Sequence, residues 1–149
     1  MINGSGKIPY VTRSEIDNGI NLFISDVQDS KYKKDPGNVI TIGLDTQTVF
    51  YQQSAFYTGE KVQILYSKNL NKYNAMFLIP FLQLQMRKFI WGKGASLIRL
   101  NKTKILLPIN QNNEPDWQFM EEVGKNIEAK KIIEIMQGLN TIHNPQVHI

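Results

Sequence analysis

The chain has 149 residues, of which 42% are hydrophobic and 20% charged, with a formal net charge of +4. These values are ordinary for one soluble globular domain, and the absence of cysteine excludes disulfides, thiolate nucleophiles and zinc–thiolate sites. No apolar run approaches the roughly 20 residues of a transmembrane helix and no signal peptide is evident, so we expect a cytoplasmic protein that does not engage a membrane.

The first half of the chain has the pattern of short strands separated by polar turns. Strands are predicted, in chain order, at residues 8–11, 20–24, 39–44, 48–53 and 62–66. The polar loop at 14–19 ends in Asn18-Gly19, a pair typical of tight turns. Residues 29–38 are predicted to form a loop exposed to water.

The period changes at residue 71, where apolar residues recur every three or four positions. This spacing predicts an amphipathic helix over residues 71–88, which Pro80 either kinks or divides in two. Strands are predicted at 96–100 and 105–107, the second buried on both faces. The predicted fold is therefore α+β, with one twisted, mostly antiparallel or mixed sheet of about seven strands, two or three helices, and a helix at the C-terminus.

A strand-to-helix corner follows residue 107. Pro115 is expected at the first helical position, where its missing N–H is no loss, and Asp116 places negative charge near the positive end of the helix dipole. Trp117, Met120 and Val123 fall on one face, so the helix is expected to pack back onto the sheet.

The charged residues are distributed unevenly. Residues 1–60 contain five basic and seven acidic residues, residues 61–113 nine basic and no acidic ones, and residues 114–149 three basic and six acidic ones. A central third without carboxylates indicates a face that attracts a polyanion, because Lys and Arg supply most of the sequence-independent affinity for DNA phosphates. Chance clustering on a solvated surface is the alternative.

Three regions are predicted along the chain. Residues 1–125 form the main domain, residues 126–140 a C-terminal helix, and residues 141–149 a loose tail. The helix carries an apolar stripe, which either covers the domain's own core or forms a partner-pairing or spacer surface. The stripe consists of Ile127, Ile132, Ile135, Met136 and Leu139.

The sequence offers little for catalysis or metal binding. Asp116 with Glu128 and Lys130 matches the spacing of many metal-dependent nucleases, but a continuous helix would separate the two carboxylates by about 18 Å, too far to share a metal ion. The only histidines, His143 and His148, lie near the C-terminus. No signature for S-adenosylmethionine or another cofactor is present. We expect a non-catalytic protein without metal or cofactor.

DNA recognition remains as the chemistry that these residues can support. Arginine reads guanine and Asn or Gln reads adenine by paired hydrogen bonds, whereas lysine suits phosphate. Gln52 and Gln53 are also amides of the kind that reads adenine. The loop Gly92-Lys93-Gly94 is too short for a nucleotide-binding glycine loop and is interpreted as a close approach to phosphate. The candidate DNA contacts are Thr12, Arg13, Asn18, Lys88, Lys93, Arg99 and Lys102.

Several blocks of sequence resemble one family. They are Gly-Lys-Ile-Pro-Tyr-Val-Thr-Arg at 6–13, Asp-Asn-Gly-Ile at 17–20, Ile-Thr-Ile-Gly at 40–43, the aromatic residues Phe50, Tyr51 and Phe56, Trp-Gly-Lys-Gly at 91–94, and Glu-Pro-Asp-Trp-Gln-Phe-Met-Glu-Glu at 114–122. From Gly6 to about Lys125 the chain resembles the DNA target-recognition domains of specificity subunits in restriction-modification systems, of type I and the related types IIB and IIG.

The resemblance implies a non-catalytic component that holds a methyltransferase or nuclease subunit on a defined sequence of double-stranded DNA. Specificity subunits carry two such domains and two long helices, whereas this sequence has one domain. The expectation is a half-subunit, a truncated copy or an excised part of a longer protein, and a half-subunit would need to form a homodimer to read a two-part site. The alternative is a protein-binding or inhibitory module that keeps the fold without reading DNA.

Overall fold

The computed structural model describes residues 4–88 and 97–143. Its elements are β1 (Ser5–Val11), a 3-10 turn (Asp17–Gly19), β2 (Ile20–Ile24), β3 (Lys34–Asp35), β4 (Val39–Gly43), β5 (Val49–Gln52), β6 (Phe56–Thr58), β7 (Val62–Leu65), α1 (Lys72–Arg87), α2 (Leu97–Lys102) and α3 (Trp117–His143). None of the helices in these two ranges combines the length and the apolar character needed to cross a bilayer.

The strands form two sheets. The first has the order β2-β1-β6-β3, in which β1 is antiparallel to β2 and parallel to β6. The second has the order β5-β4-β7 and is antiparallel throughout. β4 is buried along its whole length because it is central in its sheet, and its sequence Val-Ile-Thr-Ile-Gly suits that place.

The helix α1 packs on the second sheet and forms the larger core cluster. Ala75, Leu78, Leu82 and Met86 are buried and recur at spacings of three and four. Asn71 caps the helix by accepting hydrogen bonds from the backbone N–H groups of the first turn. The capping bonds leave the N-terminus of α1 well defined.

The helices α1 and α3 are in close contact near their N-terminal ends. A Cβ built on Gly124 would overlap the carbonyl oxygen of Tyr73, so only glycine fits at this crossing. Asn71 donates to Glu121 at 2.8 Å, and Lys72 forms an ion pair with Glu128 that lowers the pKa of that carboxyl group. Apolar contact, close approach and polar pairs therefore fix α3 to the domain.

The fold class and most elements of the prediction are confirmed. Residues 4–88 and 97–143 contain seven strands and three helices, and β2, the β4–β5 pair and α1 lie where the sequence predicts them. The sheet is divided in two, and the short strands β3 and β6 were not predicted. α1 continues through Pro80 as one helix. α3 continues to His143, three residues beyond the predicted end near residue 140.

Three predictions around residues 97–117 are wrong. Residues 97–102 form a helix instead of a strand, with Leu100 packed against the core. Residues 105–107 form no strand and are not buried on both faces, because Leu106 is 92% exposed while its two neighbours pack against the core. Pro115 precedes the helix, and Asp116 is the capping residue, accepting from the N–H of Phe119 at 2.9 Å.

Candidate functional site

Three connections meet at one end of the strands. They are residues 12–15 after β1, residues 44–48 between β4 and β5, and residues 59–61 between β6 and β7, and we call them the loop cluster. The N–H of Leu44 donates to the carbonyl of Lys61 at 3.0 Å, and that of Gly59 donates to the carbonyl of Val11 at 2.7 Å. The backbone itself therefore holds these three connections together.

An ion-pair triad lies on the surface of the loop cluster. The Arg13 guanidinium donates through Nη1 to Asp45 Oδ2, and the Lys61 ammonium lies 2.9 Å from the same oxygen. Lys61 and then Arg13 lower the pKa of the Asp45 carboxyl group, so Asp45 stays ionised at neutral pH. The three side chains are 39%, 44% and 57% exposed in chain order, so DNA could reach them from solvent.

The turn between β4 and β5 is held tightly without any help from Asp45. The N–H of Gly43 donates to the carbonyl of Thr48 at 2.9 Å, and that of Gln47 donates to the carbonyl of Gly43 at 2.8 Å. A Cβ on Gly43 would lie 2.6 Å from Thr46 Oγ1, so glycine lets the turn close. The turn therefore presents Asp45 from a rigid support.

A shallow concavity of about 390 Å³ joins the loop cluster to the C-terminal end of α1. Its polar lining includes Glu15, Thr46, Gln47, Gln83 and Arg87. Arg87 lies in the last turn of α1, where a cation suits the helix dipole. Within residues 4–88 and 98–139 it forms no ion pair. Arg87 therefore shares this concavity with Glu15 and with Thr46, the residue that follows Asp45.

Asn18 has a structural role that the sequence did not indicate. It adopts a left-handed conformation with φ of 57°, which Asn tolerates better than most residues. Its side-chain amide donates to the carbonyl of Tyr51 at 2.8 Å and to Gln52 Oε1 at 3.3 Å. Gln52 is 3% exposed, so it is not available to read a base, whereas Gln53 is exposed. The DNA contact assigned to Asn18 stays a prediction.

The other predicted contacts belong to the second half of the chain. Lys88 caps the C-terminal end of α1 and donates to Gln85 at 2.8 Å. Arg99 and Lys102 lie on α2, whose Leu100 and Asn101 line an apolar cavity with residues of β4, β7 and α1. Lys93 lies outside the described residues. The predicted contacts of Thr12, Arg13, Lys88, Arg99 and Lys102 remain untested predictions.

Four of the nine basic residues in the carboxylate-free segment can be located relative to the loop cluster. Lys72, at the start of α1, is paired with Glu128, and about 22 Å of helix separates it from Arg87. Lys61, Arg87 and Lys88 instead lie at the loop cluster or at the end of α1 nearest to it. Three cations of the segment therefore lie at the loop cluster or toward it, and Lys72 lies away from it.

The nuclease-like pattern is not assembled into a site. Asp116 and Glu128 lie at the start and in the middle of the continuous helix α3, about 18 Å apart along its axis. Asp116 caps the helix and Glu128 is paired with Lys72. Among the described residues, no three His, Asp or Glu side chains are grouped so that they could hold a metal ion.

Sequence reasoning did not identify Asp45, Lys61 and Arg87 as parts of this site. Asp45 was interpreted only as part of a turn between two strands, and its partner Arg13 lies 32 residues away. The sequence signal available for the site was a charged residue in each of two short turns, Asp45 between β4 and β5 and Lys61 between β6 and β7. Only the pairing of β4 with both β5 and β7 shows that these turns share an edge.

Comparison with known proteins places the chain in a family. Residues 2–137 match the model of the type I restriction modification DNA specificity domain, and the chain belongs to that family. Over 114 residues it is 36% identical to a protein of Heyndrickxia coagulans named type II restriction enzyme BgcI specificity subunit S.BcgI. The alignment includes 75% of this chain and 33% of that protein, so the chain spans about a third of its relative's length. No solved structure matches the chain.

The resemblance inferred from the sequence blocks is therefore confirmed. The chain is a specificity-subunit domain of a restriction-modification system. The family match includes the loop cluster, α1 and the first 21 residues of α3.

Proposed function

We propose that this domain binds double-stranded DNA sequence-specifically and directs a separate methyltransferase or nuclease subunit to its site, without catalysing the reaction itself. Membership in the specificity-domain family supports the class of function. The observation that carries the proposal for this chain is the exposed triad of Arg13, Asp45 and Lys61 on the loop cluster, with Arg87 in a concavity that adjoins this cluster.

Contacts with the bases and contacts with the phosphates of DNA are proposed for different residues. Arg13 projects from the end of β1 on a fixed backbone, and its planar guanidinium can donate two hydrogen bonds to guanine O6 and N7 in the major groove. Thr12 and Asn18 lie on the same connection and are proposed to accompany it. The phosphate contacts are proposed for Arg87, Lys88, Lys93, Arg99 and Lys102, because a phosphate contact tolerates a range of positions.

A salt titration tests this division of roles. The logarithm of the binding constant should fall linearly with the logarithm of salt concentration, by about 0.9 for each phosphate neutralised. Arg87→Ala should therefore reduce the slope by about 1 for every duplex, whereas Arg13→Ala should also relax the preference at one base pair. Selection from randomised duplexes gives the preference, and fluorescence anisotropy then gives the slope.

Lys130→Ala is the matched control, because Lys130 is exposed on α3, beyond the part that packs on α1. It should leave the slope and the preference unchanged. If the wild-type chain binds no mixed-sequence duplex even at low salt, the proposal is wrong and a protein-binding module is favoured instead.

The second half of α3 is proposed to pair with another copy of the chain. Ile127, Ile132, Ile135, Met136 and Leu139 are between 37% and 62% exposed. This exposure favours the partner-pairing interpretation of the stripe over the interpretation that it covers the domain's own core. From residue 132 the apolar residues of the stripe recur at spacings of three and four, which suits the seam between two helices.

Replacing Ile132 and Ile135 together by Asp tests the pairing. The double variant should lower self-association, because two charges would be buried in an apolar seam, and it should retain the stability of the monomer because both side chains are exposed there. Sedimentation equilibrium measures the association. Lys130→Asp, on the opposite face of the helix, should leave it unchanged, and a wild-type chain that stays monomeric at all concentrations would contradict the pairing.

A further inference from the structure

The triad has a feature that a purely phosphate-binding surface would avoid. Arg13 and Lys61 both point at one carboxylate oxygen of Asp45, so the most exposed cations of the loop cluster are already partly neutralised. A carboxylate at this place also repels the phosphates of any duplex that approaches. Asp45 therefore weakens sequence-independent binding.

Asp45 contributes little to the fold that would explain its presence. Ion pairs between exposed side chains stabilise proteins only slightly, and all three members of the triad are more than a third exposed. The turn that carries Asp45 is closed by the backbone hydrogen bonds of Gly43, Leu44 and Gln47. The presence of Asp45 is thus better explained by its contacts with Arg13 and Lys61 than by a role in stabilising the fold.

We propose that Asp45 is a positioning residue for base reading. It orients the Arg13 guanidinium toward a base and makes phosphate binding by Arg13 and Lys61 less favourable. This inference rests on the proposed function. Asp45 occupies the Nη1 side of the guanidinium, and the remaining N–H donors stay available for the paired acceptors of guanine. A guanidinium fixed in this way loses less conformational freedom when it meets the correct base.

The partial neutralisation of Arg13 and Lys61 by Asp45 also makes the triad more selective for the correct DNA sequence over non-specific DNA. On non-specific DNA the phosphates must compete with Asp45 for Arg13 and Lys61, and Asp45 repels them. At the correct site the base edge supplies acceptors without displacing Asp45. The carboxylate therefore lowers affinity for all sequences while lowering it least for the right one.

Asp45→Asn tests the inference, because the amide keeps the shape of the side chain and removes its charge. The variant should bind a non-specific duplex several-fold more tightly, with a salt slope steeper by about 0.9 for each phosphate newly neutralised. The ratio of specific to non-specific affinity should fall, and the loss should be confined to the base pair that Arg13→Ala also affects. Asp45→Glu should restore most of the ratio.

Glu60→Gln is the matched control, since Glu60 lies in the same loop cluster, is exposed, and forms no ion pair among the described residues. It should raise the affinity for all duplexes by one factor and leave the ratio unchanged. If Asp45→Asn behaves in that way too, the positioning role is overturned while the proposed function stands. If the wild-type chain binds no duplex, both are overturned together.

Discussion

Replacing Gly124 by alanine is expected to destabilise the domain by about 3 kcal/mol or more, the range for a core position forced to accept an extra group against a rigid neighbour. The added Cβ would overlap the carbonyl oxygen of Tyr73 and lie 2.6 Å from its carbonyl carbon. Both atoms belong to the backbone of α1, so no side-chain rotation relieves the contact. The two helices would have to move apart, which would also separate Met120 from its buried position beside α1.

Gly138→Ala provides the matched control on the same helix. Nothing lies within 4 Å of a Cβ at Gly138, and alanine is favoured over glycine inside a helix by up to about 1 kcal/mol. The two identical substitutions should therefore have opposite effects on the free energy of unfolding, measured by urea denaturation. Equal effects would show that α3 does not contact α1 as the structure describes.

The second large effect is expected for Gln52→Leu, with a loss of about 2–4 kcal/mol. Gln52 is buried, and its amide donates to the carbonyl of Asn18 at 2.9 Å and to Thr41 Oγ1 at 3.1 Å. Leucine keeps a similar volume but provides no hydrogen bond, and each buried polar group left without a partner costs about 1–3 kcal/mol. The free energy of unfolding from denaturant titration measures the loss.

Gln53→Leu is the control for this substitution, because Gln53 is the next residue and its side chain is exposed. Its effect should stay within about 0.5 kcal/mol. Gln52 connects the turn after β1, which belongs to the first sheet, with β5 of the second sheet. A small effect of Gln52→Leu would mean that the hydrogen bonds of this side chain contribute little to holding the two sheets together.

The elements that could be predicted are those with a clear period. Residues 20–24, 39–43 and 72–87 show strand or helix patterns long enough to decide between the two. Residues 97–107 show no pattern of that length, because a short apolar run suits a buried strand, a short helix or a connection equally well. Leu106 shows this, since it lies in the middle of an apolar run and is almost fully exposed.

The candidate site could be predicted only in part, for a different reason. Arg13 was identified because an arginine at the end of a strand is, by its own chemistry, a candidate for contact with a base. Asp45 is recognisable only by what it contacts, and both of its partners are distant in sequence. Pairing of β4 with β7 brings Asp45 to Lys61, and pairing of β1 with β6 brings Arg13 to the same end; no local pattern encodes either pairing.

The parallel pairing of β1 with β6 has a consequence for how the domain reaches its folded state. Tyr10 and Val11 form the ladder with Tyr57 and Thr58, so this pairing must wait until the chain has closed a long loop, whereas β1 can pair with the nearby β2 earlier. Non-local parallel pairings of this kind slow folding. The hairpin of β4 and β5 can form before them from neighbouring residues, and the ion pair between Arg13 and Asp45 then belongs among the last contacts to be made. On a ribosome, the end of the domain that carries the triad would be assembled only after its supporting strands are in place.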